Sequence, residues 1–165
     1  MRPISFRLIL ACLAAGMGAA HAAGNVDVTF VQPQRFSDAG EAGSERDRNL
    51  NTISQHLQRL GERYLAPGQT LSVEVMNLDL AGERRLVGIR LIRVLKGRAD
   101  WPRVDLRYSL KANDQVLRSG EESVADMNYL QHVPTYTSSE SLPYETRMLE
   151  SWFKSRFEQT GIAAK

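Results

Sequence analysis

The chain has 165 residues, with 21 Lys and Arg against 19 Asp and Glu, and a single cysteine, Cys12. Arg2 and Arg7 account for the excess of cations, so residues 23–165 balance 19 cations against 19 anions. This balance disfavours a nucleic-acid partner, because phosphate binding requires an excess of cations. One cysteine and three histidines supply too few ligands for a structural zinc site, and we expect no metal or other cofactor.

The first 22 residues have the three parts of a cleavable signal peptide. Two arginines open the chain, Leu8–Ala20 carries no charge, and residues 20–22 (Ala-His-Ala) match the pattern after which signal peptidase cuts. The uncharged stretch is too short to cross a hydrocarbon core, which needs about 20 residues. We therefore predict cleavage near Ala22, a periplasmic location, and a single domain over residues 23–165 with no membrane span.

An alternative interpretation of the leader is a lipobox that ends at Cys12, which would become a lipidated N-terminus. Only four apolar residues would then precede the cysteine, fewer than the roughly seven that a signal peptide needs. Mass spectrometry of the mature N-terminus distinguishes the two interpretations. In the favoured one the mature domain has no cysteine and is stabilised by burial alone.

The first strand and the first helix are predicted from their periodicity. Apolar and polar residues alternate over residues 26–31, which is typical of a half-buried strand. A capping-box-like start at Ser44–Asp47 then opens a helix to about Leu65, which Pro67 and Gly68 end. One face of this helix carries an apolar stripe at three- and four-residue steps: Leu50, Ile53, Leu57, Leu60 and Tyr64.

Four further strands and a closing helix follow. The strand at residues 71–80 changes its apolar phase, which predicts a bulge near residues 75–77. Later strands are predicted at Leu86–Leu95, 104–111 and 115–124, the last two joined by a hairpin turn at Asn113 and Asp114. Pro143 begins a helix with a wide aromatic face, which we interpret as core.

The element order β-α-β-β-β-β-α predicts an α+β fold. Short connections between successive strands favour an antiparallel meander. We therefore expect a sheet of about five strands with two helices packed on one of its faces.

The residues that could carry chemistry do not form a recognisable catalytic motif. The chain has no Gly-rich phosphate loop and no Gly-x-Ser-x-Gly elbow. Glu121 and Glu122 are neighbours on one strand and point to opposite faces, so they cannot share a substrate. We predict no catalytic, cofactor-binding or metal-binding residue.

Two segments form a candidate binding surface. Residues 100–103 (Asp-Trp-Pro-Arg) join two strands and offer a stacking face and a bidentate donor. Residues 125–141 form a long irregular segment of a length that is usually functional or disordered. The candidate residues are Asp100, Trp101, Arg103, Asp126, Asn128, Tyr129 and His132.

Each segment also has a purely structural alternative. In the first, Asp100 would satisfy loop amides while Trp101 covers the core. In the second, Met127, Tyr129 and Leu130 would plug one end of the sheet. Both alternatives stay open at the level of sequence.

A set of motifs is spread over nearly all of the mature chain: Val28–Val31 with Phe36, Leu57–Gly61, Tyr64–Leu65, Asp100–Arg103, Asp126–Leu130, Leu142–Glu145, Met148–Leu149 and Trp152–Phe153. Together these motifs resemble the domain of unknown function 3016 family of predicted secreted bacterial proteins. The resemblance implies a Gram-negative periplasmic setting and supplies no activity.

Two functions are compatible with these observations. The first is an exported binding or accessory module that contacts another envelope protein or a small ligand. The alternative is a small periplasmic hydrolase that uses Asp100, Asp126 or His132 around the 125–141 segment.

Overall fold

The computed structural model describes residues 23–97, 99–131 and 141–158. The predicted leader at residues 1–22 lies outside the described residues. No helix within the described ranges is long and apolar enough to cross a membrane. The elements are β1 (Asn25–Phe30), α1 (Ser44–Tyr64), β2 (Gln69–Asp79), β3 (Glu83–Val87), β4 (Arg90–Val94), β5 (Arg103–Ala112), β6 (Gln115–Ala125) and α2 (Pro143–Phe157), with a short 3-10 helix at Pro33–Arg35.

Within the described ranges, the main sheet contains four strands in the order β1-β2-β5-β6. The predicted bulge is confirmed, because the pairing register of β2 with β5 shifts between Val75 and Asn77. The predicted hairpin turn is also confirmed: Asn113 and Asp114 both have positive φ and connect β5 to β6. The α+β class and the broad element order are as predicted.

The prediction of a wholly antiparallel meander was wrong at the first strand. Helix α1 connects β1 to β2 as a crossover, and the two strands pair in parallel. The pairs β2–β5 and β5–β6 are antiparallel, as expected. The sheet is therefore mixed, and among the described strands β1 lies at one edge and β6 at the other.

The prediction of one strand from Leu86 to Leu95 was also wrong. Gly88, with φ of 62°, and Ile89 form a two-residue turn that folds this stretch into the β3–β4 hairpin. Glycine at the first turn position suits a type II′ turn, which matches the twist of the flanking strands. Among the described strands, the hairpin forms a two-stranded sheet of its own, separate from the main sheet.

The core lies between one face of the main sheet and the two helices. Side chains alternate across a strand, and in β2 and β5 the apolar residues take the buried positions. The predicted stripe of α1 is buried from Leu50 to Leu60. The aromatic face of α2 is core, as predicted, through Met148, Leu149, Trp152, Phe153 and Phe157.

Helix α1 begins at Ser44, but the predicted capping box does not form. Gly43 is the N-cap and supplies no side-chain hydrogen bond. Instead, Oε2 of Glu45 accepts the backbone amide of Glu41 at 2.7 Å. The Glu45 carboxylate therefore ties the first turn of the helix to the segment that precedes it.

Candidate functional site

Asp100 organises the loop that joins β4 to β5. Its carboxylate accepts the backbone amides of Lys96 at 2.5 Å and Gly97 at 2.8 Å. Burial raises the pKa of the Asp100 carboxyl, but these amides and the Tyr129 hydroxyl outweigh it and hold the pKa below its ordinary value. Asp100 thus takes the loop-stabilising role that the sequence offered as one of two alternatives.

Tyr129 is buried against the same loop, and its side chain is only 1% exposed. The Tyr129 hydroxyl donates to Oδ1 of Asp100 at 3.1 Å and accepts the amide of Gly97 at 3.3 Å. Its ring meets the Tyr144 ring edge-on, with centroids 5.0 Å apart. Burial, then the bond to Asp100, raises the pKa of Tyr129 to about 12. Tyr129 therefore closes one end of the sheet, while Met127 stays exposed.

Asp126 lies at this same end of the sheet, where it begins the segment after β6. Its backbone amide donates to the carbonyl of Pro102 at 3.3 Å. Its carboxylate accepts the amide of Asn128 at 3.0 Å, which forms an Asx turn. The loops that carry Asp100 and Asp126 are therefore neighbours, although each carboxylate has its own amide partners.

The remaining candidate residues have less defined surroundings. Trp101 and Arg103 are half-buried, and Nε of Arg103 lies 3.9 Å from Oδ1 of Asp105. Asn128 is exposed. His132 lies outside the described residues, so the hydrolase alternative that uses it stays a prediction.

Among the described residues, no strand pairs with the outer edge of β6, an edge that the sequence did not mark as a site. The amide of Asp126 donates to the carbonyl of Pro102 in line with the β5–β6 register, and hydrogen-bonded positions alternate along an antiparallel pair. Every second residue of β6 therefore directs its amide and carbonyl away from β5. These outward residues are Ser119, Glu121, Ser123 and Ala125.

A groove of about 490 Å³ follows this edge between β6 and α2. Residues 122–126 form one wall. The other wall is a stripe of α2 with four-residue spacing, together with two core residues: Arg147, Ser151 and Ser155, with Met148 and Trp152. The groove combines hydroxyl groups, charges and an indole ring beside a strand edge that no other described strand pairs with.

Glu122 holds the side chains at one end of the groove in place. Its carboxylate accepts the indole N–H of Trp152 at 3.2 Å, the Tyr108 hydroxyl at 3.0 Å and the guanidinium of Arg156 at 3.0 Å. Burial raises the pKa of the Glu122 carboxyl, but the hydrogen bonds from Arg156, Tyr108 and Trp152 lower it by more. The pKa therefore lies below its ordinary value. Glu121 points to the opposite face and pairs with Arg107, as the alternation of the strand predicts.

The β3–β4 hairpin is a second surface that the sequence analysis missed, because the stretch was interpreted as one strand. Arg93 ties its base to the rest of the chain: Nη1 donates to Oδ2 of Asp38 at 2.9 Å and to the carbonyls of Ala81 and Gly82. Beyond that tether every residue from Glu83 to Ile92 is exposed. Gly88 was the one sequence signal that could have revealed the turn.

Comparison with known proteins adds a family match over most of the chain. A family model described as "Protein of unknown function (DUF3016)" matches residues 24–155. No curated protein matches the sequence. Among solved structures, the chain is similar to the crystal structure of protein XCC0632 from Xanthomonas campestris, a DUF330 protein, with 12% identity over 85% of this chain and 82% of that one and a TM-score of 0.30.

Proposed function

Since the chain belongs to the DUF3016 family of proteins of unknown function, we propose from its geometry that it is a periplasmic binding or accessory module that acts through protein contacts. The observation that carries this proposal is the outer edge of β6, which pairs with no other described strand and lies beside the groove against α2. An extended segment of a partner protein adds to this edge as a further strand. The signal peptide predicted at residues 1–22 supports the periplasmic setting.

The strand edge supplies the affinity. An exposed edge presents a row of unpaired amide and carbonyl groups, which is the template for adding a strand from another chain. Four residues of β6 direct both groups outward, from Ser119 to Ala125. They span a length that six or seven residues of an extended peptide cover.

The groove supplies the selectivity. Successive side chains of an added strand point to opposite faces, so every second side chain of the partner enters the space between β6 and α2. There it meets Ser151 and Ser155 on the helix and the ring of Trp152, which Glu122 holds in place. This lining favours small polar or flat side chains over bulky aliphatic ones.

The first experiment removes one outward amide. A display library of random heptapeptides is selected on the purified protein, and the affinity of the enriched peptides is then measured for Ser123→Pro and Ser123→Ala. Proline lacks the N–H but is tolerated at an edge strand where that N–H faces solvent. We expect S123P to weaken binding about fivefold or more, the worth of one hydrogen bond of about 1 kcal/mol.

The alanine variant is the matched control, because it removes the same hydroxyl and keeps the backbone amide. S123A should bind within about twofold of the wild-type protein, in line with the small effect of most surface substitutions. Circular dichroism confirms that both variants fold. Equal affinity of S123P and S123A, or a library that yields no binder, contradicts the proposal.

A second experiment fills the groove. Ser151→Trp places a large ring on the α2 wall without altering β6. We expect it to abolish peptide binding and to leave the unfolding temperature close to that of the wild-type protein, since Ser151 is exposed. Capture of the same envelope proteins by wild type and S151W would show that the groove is not the contact surface.

A further inference from the structure

The tip of the β3–β4 hairpin carries several exposed apolar side chains, and the exposure is greatest in the turn. Ile89 in the turn is 98% exposed, next to Leu86 at 70% and Val87 at 57%. Leu91 and Ile92 on β4 are also exposed. A two-stranded hairpin with so little cover is marginally stable in water, and apolar side chains gathered at its end mark an interaction site.

Neither face of the hairpin near its tip is wholly polar. Residues that face each other across the pair share a face, so Val87 lies beside Arg90 on one face, and Leu86 lies beside Leu91 on the other. Ile92 is on the same face as Val87, opposite Arg85. Both faces of the tip therefore present aliphatic groups, and each also carries arginines nearer the base or beside the turn.

The charge of the hairpin is strongly positive. Residues 83–94 contain four arginines and one glutamate, Glu83. Arg93 is bound to Asp38, and Glu83 contacts both Arg85 and Lys96. Among the described residues, Arg84 and Arg90 have no ion-pair or hydrogen-bond partner. These two guanidinium groups flank the apolar tip.

We propose that the β3–β4 hairpin docks onto the surface of a phospholipid bilayer with anionic headgroups. The apolar tip enters the boundary between headgroups and acyl chains, and Arg84 and Arg90 pair with the phosphates. Aliphatic side chains in the turn and on both faces fit a medium that surrounds the tip, whereas a flat protein patch would cover one face and leave the other in water. The unpaired arginines make the partner anionic. This inference does not depend on the proposed function of β6.

The test is co-sedimentation with large unilamellar vesicles. The purified protein is mixed with vesicles of equal parts phosphatidylglycerol and phosphatidylcholine, or of phosphatidylcholine alone. We expect sedimentation with the anionic vesicles only, and a bound fraction that falls as salt is added, because screening weakens the attraction of Arg84 and Arg90. A protein that stays in the supernatant with anionic vesicles at low salt overturns the proposal.

Two pairs of variants locate the contact. Val87→Asp combined with Ile89→Asp should lower the vesicle affinity about tenfold or more, because charges are costly in the apolar zone. Val116→Asp is the matched control, since Val116 on β6 is 56% exposed, like Val87. Arg84→Glu combined with Arg90→Glu should reduce binding about tenfold or more, while Arg59→Glu on α1 should not. Equal loss in the controls overturns the proposal.

A direct readout of depth separates bilayer insertion from a protein contact. Ile89→Cys in a Cys12→Ser background carries one thiol for an environment-sensitive fluorophore. We expect its emission to shift to the blue with anionic vesicles and to stay unchanged with phosphatidylcholine vesicles. A label whose emission does not shift with anionic vesicles, together with a photocrosslinker at residue 89 that captures a protein from envelope extract, would assign the hairpin to a protein partner and overturn the proposal.

Discussion

A single hydroxyl group, that of Tyr129, connects two loops at one end of the sheet. It donates to the carboxylate of Asp100 and accepts the amide of Gly97. Hydrogen bonds to an ionised acceptor are stronger than bonds between neutral groups. Removing one oxygen atom therefore leaves both Asp100 and Gly97 with one partner fewer in a half-buried place.

We expect Tyr129→Phe to lower the free energy of unfolding by about 1.5 kcal/mol at pH 7, the cost of one hydrogen bond to a charged group. Urea denaturation followed by circular dichroism measures the change. Tyr64→Phe is the control, because the Tyr64 hydroxyl meets Glu150 at a longer distance of 3.4 Å, and it should cost about 0.5 kcal/mol or less. Equal losses in the two variants would contradict the role given to Tyr129.

The difference in stability between the wild-type protein and Y129F should also depend on pH. Burial and the bond to Asp100 raise the pKa of Tyr129 to about 12, above its ordinary value of 10.0. The folded state thus favours the neutral phenol, and the resulting stability is complete below pH 10 and is lost as the pH rises toward 12. The stability difference between wild type and Y129F should shrink over that window. A difference that stays constant from pH 8 to pH 11.5 would be inconsistent with the raised pKa.

The sequence singled out Asp100 and Tyr129 as residues of interest, but it did not predict the hydrogen bond between them. Asp100 and Tyr129 were both named as candidates, but 29 positions separate them. Their meeting depends on which loops share an end of the sheet, and short-range periodicity carries no information on that arrangement. The Asx turn of Asp126 is a local feature, because it joins residues only two positions apart, and contacts of this kind are more accessible to sequence patterns.

At the scale of elements, Glu145 attaches the first turn of α2 to the turn between β2 and β3. Its side chain is buried, and Oε1 accepts the amide of Ala81 at 2.7 Å. Burial raises the pKa of Glu145, although the bond from Ala81 acts in the opposite direction. The native state therefore favours the protonated carboxyl, and its contribution is lost as the pH rises above the ordinary value of 4.5.

We expect Glu145→Gln to be more stable relative to the wild-type protein at pH 8 than at pH 4, because the amide keeps an acceptor for Ala81 and never ionises. Glu150→Gln should show the opposite sign. The bond from Lys154, with its charge, lowers the pKa of Glu150, so that carboxylate stabilises the fold above pH 4.5 and loses its contribution as the pH falls. Thermal unfolding of the wild-type protein, E145Q and E150Q at pH 4 and pH 8 measures both differences in stability. The same sign for both variants would contradict this account.

The elements differ in how well their sequence predicted them. The helices and β5 have sustained periods that agree with a single buried face, so their bounds were close to those observed. The hairpin was missed because its apolar residues continue on both sides of Gly88, and an exposed tip removes the polar alternation on which the strand pattern depends. The parallel pairing of β1 with β2 was missed because the meander was inferred from the short connections between later strands, whereas β1 and β2 are joined through helix α1, a connection typical of parallel strands.

At the scale of the whole molecule, the residues that stabilise the fold lie apart from the residues proposed to make contacts. The core lies between the helices and one sheet face, with Phe153, Phe157 and Leu149 fully buried. The hairpin projects beyond this core and is tethered at its base through Arg93. The other face of the sheet is polar, and on it Arg107 pairs with both Glu74 and Glu121. Substitutions in the hairpin should therefore change binding without unfolding the domain.

Two valines provide a matched test of this separation. Val87 lies in the exposed part of the hairpin, and Val104 is fully buried in β5. We expect Val104→Ala to lower the free energy of unfolding by about 2 kcal/mol, because it leaves a cavity in a packed core. Val87→Ala should stay within about 0.5 kcal/mol of the wild-type protein. Urea denaturation measures both values.

Hydrogen exchange extends the same prediction to the backbone. Amides of the hairpin should exchange through local opening at a rate independent of low urea concentrations, since opening a small exposed unit uncovers little surface. Amides of β5 should exchange only through global unfolding, so V104A should speed their exchange by about thirtyfold, the equivalent of about 2 kcal/mol. If V87A instead costs as much as V104A, or if both segments exchange together, the hairpin belongs to the cooperative core, and its variants could not distinguish a lost contact from a lost fold.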